Sequence, residues 1–178
     1  PGADDGAWKR GRAWVVPVRL PPGFDLNQIE VEETRLTPAE WAGLGVRPDE
    51  PWGVLDRDQP ARLALPAGRE GPAFLLLPNF DVFEAYNPSR TYALGVALLA
   101  RHIEGRAPAA WPDEPPLTLA ERQSAQRALQ ERGFYPGPID GDLGSGSRRA
   151  IRAWQRAKGR QADGYLTGEM VQTLLLGG

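Results

Sequence analysis

The spacing of apolar positions changes at a proline-rich stretch about two thirds of the way along this chain, and the two sides predict different architectures. Before it, short apolar runs bounded by Gly, Pro and Asp read as strands. "AWVVPVRL" (13–20) is the first, with Pro17 placing it at a sheet edge or a bulge because proline cannot donate to a ladder. "ARLALPA" (61–67) and "PAFLLLP" (72–78), joined by "GREG", read as a hairpin. "TPAEWAGLG" (37–45) predicts a short helix, with Thr37 as cap, Pro38 in the first turn and glycine at the end. Residues 46–60, rich in Pro and Asp, predict a loop. "NFDVFEAY" predicts one or two helical turns, and "SRTYALGVALLARHIEG" a longer helix from the N-cap Ser89 to a stop at Gly105. Tyr92, Val96, Leu99 and Ile103 recur at helical spacing there and predict a stripe facing a core.

The stretch itself, "GRAPAAWPDEPPLT" (105–118), holds four prolines and a glycine, which cannot continue a helix; residues 106–117 read as a semi-rigid linker. Beyond it the spacing is helical. "TLAE", Thr118 to Glu121, is a capping-box pattern opening a helix that runs to Gly133, with Phe134 packing back after the turn. "SRRAIRAWQRAKG" buries Ile151 and Trp154 on one side and sets Arg149, Arg152, Arg156 and Arg160 along another, which reads as a solvated basic face. "TGEMVQTLLL" aligns Met170, Val171, Leu174 and Leu175. "DGDL" (140–143) recurs as "DGYL" (163–166), each just before a helix. The pairs Asp140-Gly141 and Asp163-Gly164 read as structural corners, with glycine accepting positive φ and the aspartate tying down nearby amides.

Composition narrows the chemistry. Hydrophobic residues make up 41% and charged residues 25%, which is ordinary for globular domains. Residues 117–178 carry nine Arg/Lys against six Asp/Glu, and residues 1–116 twelve against seventeen, consistent with two units of different charge habit. The chain has no cysteine, which excludes disulfides and thiolate metal sites, and its single histidine, His102, argues against a zinc site. "IDGDLGSGS" fails as a calcium loop: counted from Asp140, the sixth position is Ser145 and the twelfth Ile151, so the bidentate acid is missing. No cofactor or metal is expected, and no nucleic-acid module is present. No apolar run reaches the length of a membrane span. The opening "PGADDGAWKRGR" has no apolar signal core, and a start at Pro1 reads as a processed product.

Two resemblances follow from particular residues. Leu129-Gln130, Gly133-Phe134-Tyr135, Asp140-Gly141, Gly144, Ser147, Ala150-Ile151, Trp154-Gln155 and Asp163-Gly164 resemble the common peptidoglycan-binding domain, a three-helix module, over 118–178. Trp154 stands where that family usually has Phe. Pro78-Asn79-Phe80, Tyr86-Asn87-x-Ser89 and Tyr92-Ala93 are similar to the closing segment of B-type lytic murein transglycosylases. "VRLPPGFD", "EWAGLGV" and "PAGREGPAFLLLPNF" look like that family's small β-rich subdomain.

The second resemblance implies a function. In that family this segment lines a lysozyme-like groove beside one catalytic glutamate, which protonates the glycosidic oxygen and then serves as base while the muramyl 6-hydroxyl attacks C1. Carried over by position, Tyr86, Asn87 and Tyr92 contact sugar or orient that glutamate, and Ser89 caps the helix. The family's glutamate lies upstream, before the β subdomain, so the chain is expected to hold no catalytic residue and to be inactive alone. Glu84 sits one turn before the motif with nothing near it to predict burial, and Glu30, Glu32 and Glu33 read as a charged surface strand or loop.

The expected architecture is therefore α+β. A small antiparallel β subdomain (8–78) and truncated lysozyme-like core helices (79–105) make up 1–105, followed by the linker and the three-helix module of 118–178. The expected partner is peptidoglycan, through its glycan strands or stem peptides, together with the protein's own missing N-terminal fragment. The location implied is the periplasm or cell envelope. Two alternatives stay open: a non-catalytic peptidoglycan-binding protein, and a subunit completing the groove of a separate catalytic chain.

Overall fold

The computed structural model describes residues 8–9, 12–49, 58–87 and 89–177. It contains two compact units, one drawn from residues 1–24, 32–66 and 71–111, the other from 25–31, 67–70 and 112–178.

The first unit is a five-stranded antiparallel sheet with helices on it. Strands β1 (Val15–Arg19), β2 (Arg35–Leu36), β3 (Arg47–Pro48), β4 (Ala61–Ala64) and β5 (Ala73–Leu76) lie in the order β2-β4-β5-β1-β3. The expected hairpin is β4–β5, with Leu63 opposite Leu75 and Ala64 opposite Phe74. β1 is an inner strand rather than an edge, because the short β3 flanks it. Pro17 fits there for a local reason. Its carbonyl accepts the Asp49 N–H at 3.0 Å, and in an antiparallel pair both backbone groups of a residue point the same way. Its missing donor therefore falls on the β3 side and costs no bond to β5. The expected loop 46–60 thus contributes an edge strand at 47–48; its residues 50–57 lie outside those described.

Helix α1 (Pro38–Gly43) has the predicted start: Thr37 and Glu40 form a reciprocal capping box, with Pro38 in the first turn. Its Trp41 is fully buried and donates Nε1–H to the Ala61 carbonyl at 3.0 Å, so the indole enters the core without an orphaned donor. Helices α2 (Pro78–Tyr86) and α3 (Arg90–Ile103) complete the unit. The core between helices and sheet holds Val15, Ala64, Phe74, Leu76, Phe80, Ala93, Leu94 and Ala97.

The buried face of α3 is a correction. Ala93, Leu94 and Ala97 point inward, while Tyr92, Leu99 and Ile103 of the expected stripe are 55%, 58% and 77% exposed. Two alanines one turn apart place small side chains at the contact. Helical spacing identified a stripe but not which of two adjacent stripes is covered.

The second unit packs α4 (Leu119–Glu131), α5 (Ser145–Ala157) and α6 (Gly168–Leu175) around Leu129, Ile151, Trp154, Leu166, Val171 and Leu174. Leu175 of the expected α6 face is exposed instead. Thr118 and Glu121 form the capping box at α4. Two buried glutamines organise the rest. Gln126 accepts the Gly141 N–H at 2.7 Å and donates to Asp140 Oδ1 at 3.0 Å and the Asp142 carbonyl at 2.9 Å. Gln155 repeats the arrangement, accepting from Gly164 at 2.9 Å and donating to Asp163 Oδ1 at 2.7 Å and the Tyr165 carbonyl at 3.1 Å. Gly141 and Gly164 sit at φ of +79° and +75°, where any side chain would strain the corner.

This unit also takes in residues 25–31 and 67–70. Leu26, fully buried, donates its N–H to Gln161 Oε1 at 2.8 Å, and the Arg69 N–H reaches Asp163 Oδ2 at 3.0 Å. The Ile29 carbonyl accepts from Arg156, and Glu30 pairs with Arg156 at 2.8 Å. The expected solvated arginine face is therefore corrected: Arg152 is buried and Arg156 is engaged by 25–31. Residues 106–118 carry no helix or strand, with Ala109 and Trp111 packed in the first unit and Glu114 accepting the Gly168 N–H at 3.3 Å in the second.

Candidate functional site

The stretch "YNPSRTYA" forms the turn from α2 to α3, with Pro88 outside the described residues. Asn87 closes α2, and its Oδ1 accepts the Ser89 N–H at 3.1 Å, an Asx-type turn. Ser89 is the N-cap of α3, its Oγ accepting the Tyr92 N–H at 3.4 Å. The Tyr86 ring is 91% exposed. Tyr92 is half-exposed and stacked on Phe83, their centroids 6.2 Å apart. Phe83 leans on Trp14 at 5.6 Å, and Trp14 meets Trp8 edge-on at 5.1 Å. The turn thus presents two tyrosine rings and an amide, with one ring braced from beneath by an aromatic run. Such rings suit stacking against sugar faces, and the amide suits hydrogen bonding to their hydroxyls.

Behind the turn lies a chain of alternating charges, which reading the sequence missed. Arg90, the first residue of α3, donates Nε–H to Glu84 Oε1 and Nη1–H to Glu32 Oε2, both at 2.7 Å. Glu84 also accepts from Arg62 at 3.0 Å. Arg62 continues to Asp81, which accepts from Arg35 at 2.6 Å on its other oxygen. The order is Glu32, Arg90, Glu84, Arg62, Asp81, Arg35, three acids and three bases.

Glu32 is buried and lies in a turn, correcting its reading as a surface residue. Its φ of +70° makes it the one non-glycine with positive φ among the described residues, a conformation that persists only when its surroundings hold it. Three contacts do so. Its N–H donates to the Leu63 carbonyl at 2.8 Å, its carbonyl accepts from Arg62 at 3.3 Å, and its carboxylate pairs with Arg90. One signal for this network was present in "ARLALPA". Arg62 precedes Ala64 by two, so it lies on the same sheet face, and that face is buried.

The network decides what Glu84 can do. Burial pushes its carboxyl up, but hydrogen bonds and charge from Arg62 and Arg90 outweigh this and hold it below the usual glutamate range. A general acid needs the opposite balance, a carboxyl kept protonated near the working pH. Glu84 is instead held toward its carboxylate form, as a member of an ion-pair chain. Among the described residues no group of three His, Cys, Asp or Glu side chains is placed to hold a metal ion. No helix among them is long and apolar enough to cross a membrane.

With this geometry in view, the comparisons with known proteins assign the class. Residues 4–101 match the family model for the transglycosylase SLT domain, and residues 118–174 match that for a peptidoglycan binding domain. The chain belongs to the SLT transglycosylase family and carries a peptidoglycan-binding domain behind that region. Among solved structures it is similar to SltB3 from Pseudomonas aeruginosa in complex with NAG-anhNAM-pentapeptide: 43% identity, TM-score 0.79, 95% of this chain and 46% of that chain covered. Against SltB3 in complex with NAG-NAM-pentapeptide the identity is 41% and the TM-score 0.81, with the same coverage. The chain therefore spans just under half the length of these structures. A shorter likeness, 37% identity over 57 residues, joins it to the chloroplastic protein disulfide isomerase pTAC5 of Arabidopsis thaliana, covering 30% of this chain and 15% of that one. The resemblance to B-type lytic transglycosylases drawn from Pro78–Ala93 holds at the level of the family.

Proposed function

We propose that this chain acts as the C-terminal part of a lytic transglycosylase that cleaves the MurNAc–GlcNAc bond of peptidoglycan without water, leaving a 1,6-anhydro-MurNAc end. The observation that carries this reading is the membership of residues 4–101 in the transglycosylase family, with the tyrosine-rich turn exposed within that region. The SltB3 structure described as holding an anhydro sugar fits the same chemistry. In that reaction one carboxyl donates its proton to the glycosidic oxygen as the C1–O bond breaks. The MurNAc O6 then bonds to C1 and returns its proton to the carboxylate. Because the nucleophile belongs to the substrate, a single carboxyl suffices, unlike the two of hydrolases.

Tyr86, Asn87 and Tyr92 serve as sugar-contacting residues in this reading, and the acid is supplied from outside these 178 residues. The paired state of Glu84 supports that assignment, since its arginine partners hold its carboxyl below the usual glutamate range and against proton donation. The exposed face of α3, with Leu99 and Ile103 beyond Tyr92, is where the rest of the groove packs, whether it comes from the protein's own N-terminal portion or a separate catalytic chain. The C-terminal module holds the enzyme on peptidoglycan, which places the protein in the cell envelope.

Digestion of purified sacculi, read by mass spectrometry, tests the reading. The 178-residue chain is expected to sediment with sacculi and release no anhydro-muropeptides, and addition of the acid-bearing region to start release. Anhydro products from this chain alone would show that the acid lies within it. Failure to sediment at low salt would remove the targeting role.

A further inference from the structure

We infer that Arg90 is a positioning residue: its guanidinium spans Glu32 and Glu84 and fixes the α2–α3 turn, so that Tyr86, Asn87 and Tyr92 meet a glycan strand in one arrangement. This rests on the sugar-binding reading of those three residues given above. Arg90 lies inside the motif, half-buried, with both partners 2.7 Å away. Both partners anchor to β4, by different routes. Glu32 is held through its backbone by Leu63 and Arg62 on β4, in its positive-φ turn. Glu84 belongs to α2 and is held by Arg62 as well. The first residue of α3 is thereby tied to β4 from both sides, at sequence separations of 58 and 6 residues. Among the described residues, the other restraints on the turn are the Tyr92–Phe83 stack and local bonds: Tyr86 is almost wholly exposed, and the Asx contact and the Ser89 cap are solvent-facing. A bidentate arginine gives directional restraint that a single ammonium cannot, because its planar fork meets two carboxylates at fixed angles.

The test uses the 178-residue chain and its Arg90→Ala and Arg90→Lys variants. Lysine keeps the charge, and so the fold, but its ammonium cannot span both carboxylates in the same geometry. Amide hydrogen exchange without ligand is read first. In Arg90→Lys the amides between 86 and 93 should exchange at least about tenfold faster, while those of β4, β5 and the three-helix unit keep their rates. Arg90→Ala, which strands the buried Glu32 charge, should speed exchange in β4 as well. A tetrasaccharide of alternating GlcNAc and MurNAc, without peptide, is then titrated by NMR. Wild-type resonances of Tyr86, Asn87 and Tyr92 should shift, and Arg90→Lys should weaken binding by about tenfold. Unchanged exchange at 86–93 in Arg90→Lys overturns the inference. So does equal acceleration across the whole sheet unit in that variant, which marks a purely structural role, or tetrasaccharide affinity equal to wild type. Absence of shifts in the wild-type chain overturns the sugar-binding reading instead, and local exchange then decides the role of Arg90 in fixing the turn.

Discussion

The sheet unit buries Glu32 and Arg62 as members of an ionic chain, whereas the three-helix unit buries Gln126 and Gln155 as neutral amides facing backbone groups. The ionic chain joins residues as far apart as 58 positions, from β4, α2, α3 and a turn. The amide clamps reach 16 and 10 positions, from a helix to the corner that follows it. The first solution can lock a turn that has few apolar contacts of its own, but it fails badly when one partner is lost, since a desolvated charge is left behind. The second is local, buries a neutral amide rather than an ion pair and can be repeated, as Asp140-Gly141 and Asp163-Gly164 show. The unit that presents exposed aromatic rings employs the first device, and the small module employs the second twice.

Four measurements would break or sharpen that contrast. Arg62→Ala should have the largest effect, lowering the stability of the sheet unit by about 4 kcal/mol because Asp81 and Glu84 lose a shared, buried partner. Hydrogen exchange resolved by unit should place the loss there and leave α4–α6 untouched. Equal losses in both units would mean the ionic chain supports more than the sheet. Leu26→Ala comes next, at about 3 kcal/mol for a fully buried leucine. Although residue 26 lies between strands of the sheet unit in sequence, the loss should fall on the three-helix unit, to which residues 25–31 belong. If β4 and β5 lose protection first, residues 25–31 do not belong to that unit.

Acid should act on the sheet unit through Glu84, with a smaller effect. The Glu84 carboxyl titrates lower folded than unfolded, so its contribution is complete above the ordinary glutamate range and is lost as pH falls through the folded value. Between about pH 7 and pH 3 the sheet unit should therefore lose stability, and Glu84→Gln should flatten that dependence. A pH profile identical in the Gln variant would deny Glu84 this role. Smallest is Ser89→Ala, worth about 1 kcal/mol as a lost helix cap. It should loosen the start of α3 without changing the exchange of β4, in contrast to Arg62→Ala; thermal denaturation with exchange at 90–93 checks it.

Much of the candidate site was legible because it is local. The Tyr86-Asn87-x-Ser89 sequence announces a turn and a cap, since an Asn and a Ser two residues apart can satisfy the backbone amides that begin a helix. The role of Arg90 was not legible, because its partner Glu32 is 58 residues away and "EVEET" reads as a charged surface. The unit boundary was legible only in part. A proline-rich stretch marks where helix cannot continue, yet nothing in "DLNQIEV" shows that the backbones of Leu26 and Ile29 bond to Gln161 and Arg156, more than a hundred residues later.

Sequence by itself determined the elements whose cause lies within one turn of chain: the Thr37–Glu40 and Thr118–Glu121 capping boxes, the β4–β5 hairpin, and the glycine corners at 141 and 164. Tertiary structure alone decided directions and partners. It turned α3 so that Ala93 and Ala97 meet the sheet and Tyr92 faces outward, and it buried Glu32 against Arg90 and Arg152 within the three-helix unit. The physical reason is that capping and turn formation need only backbone groups a few residues away. The burial of a charge, or of one helix face over its neighbour, is settled by side chains that the fold brings in from distant parts of the chain.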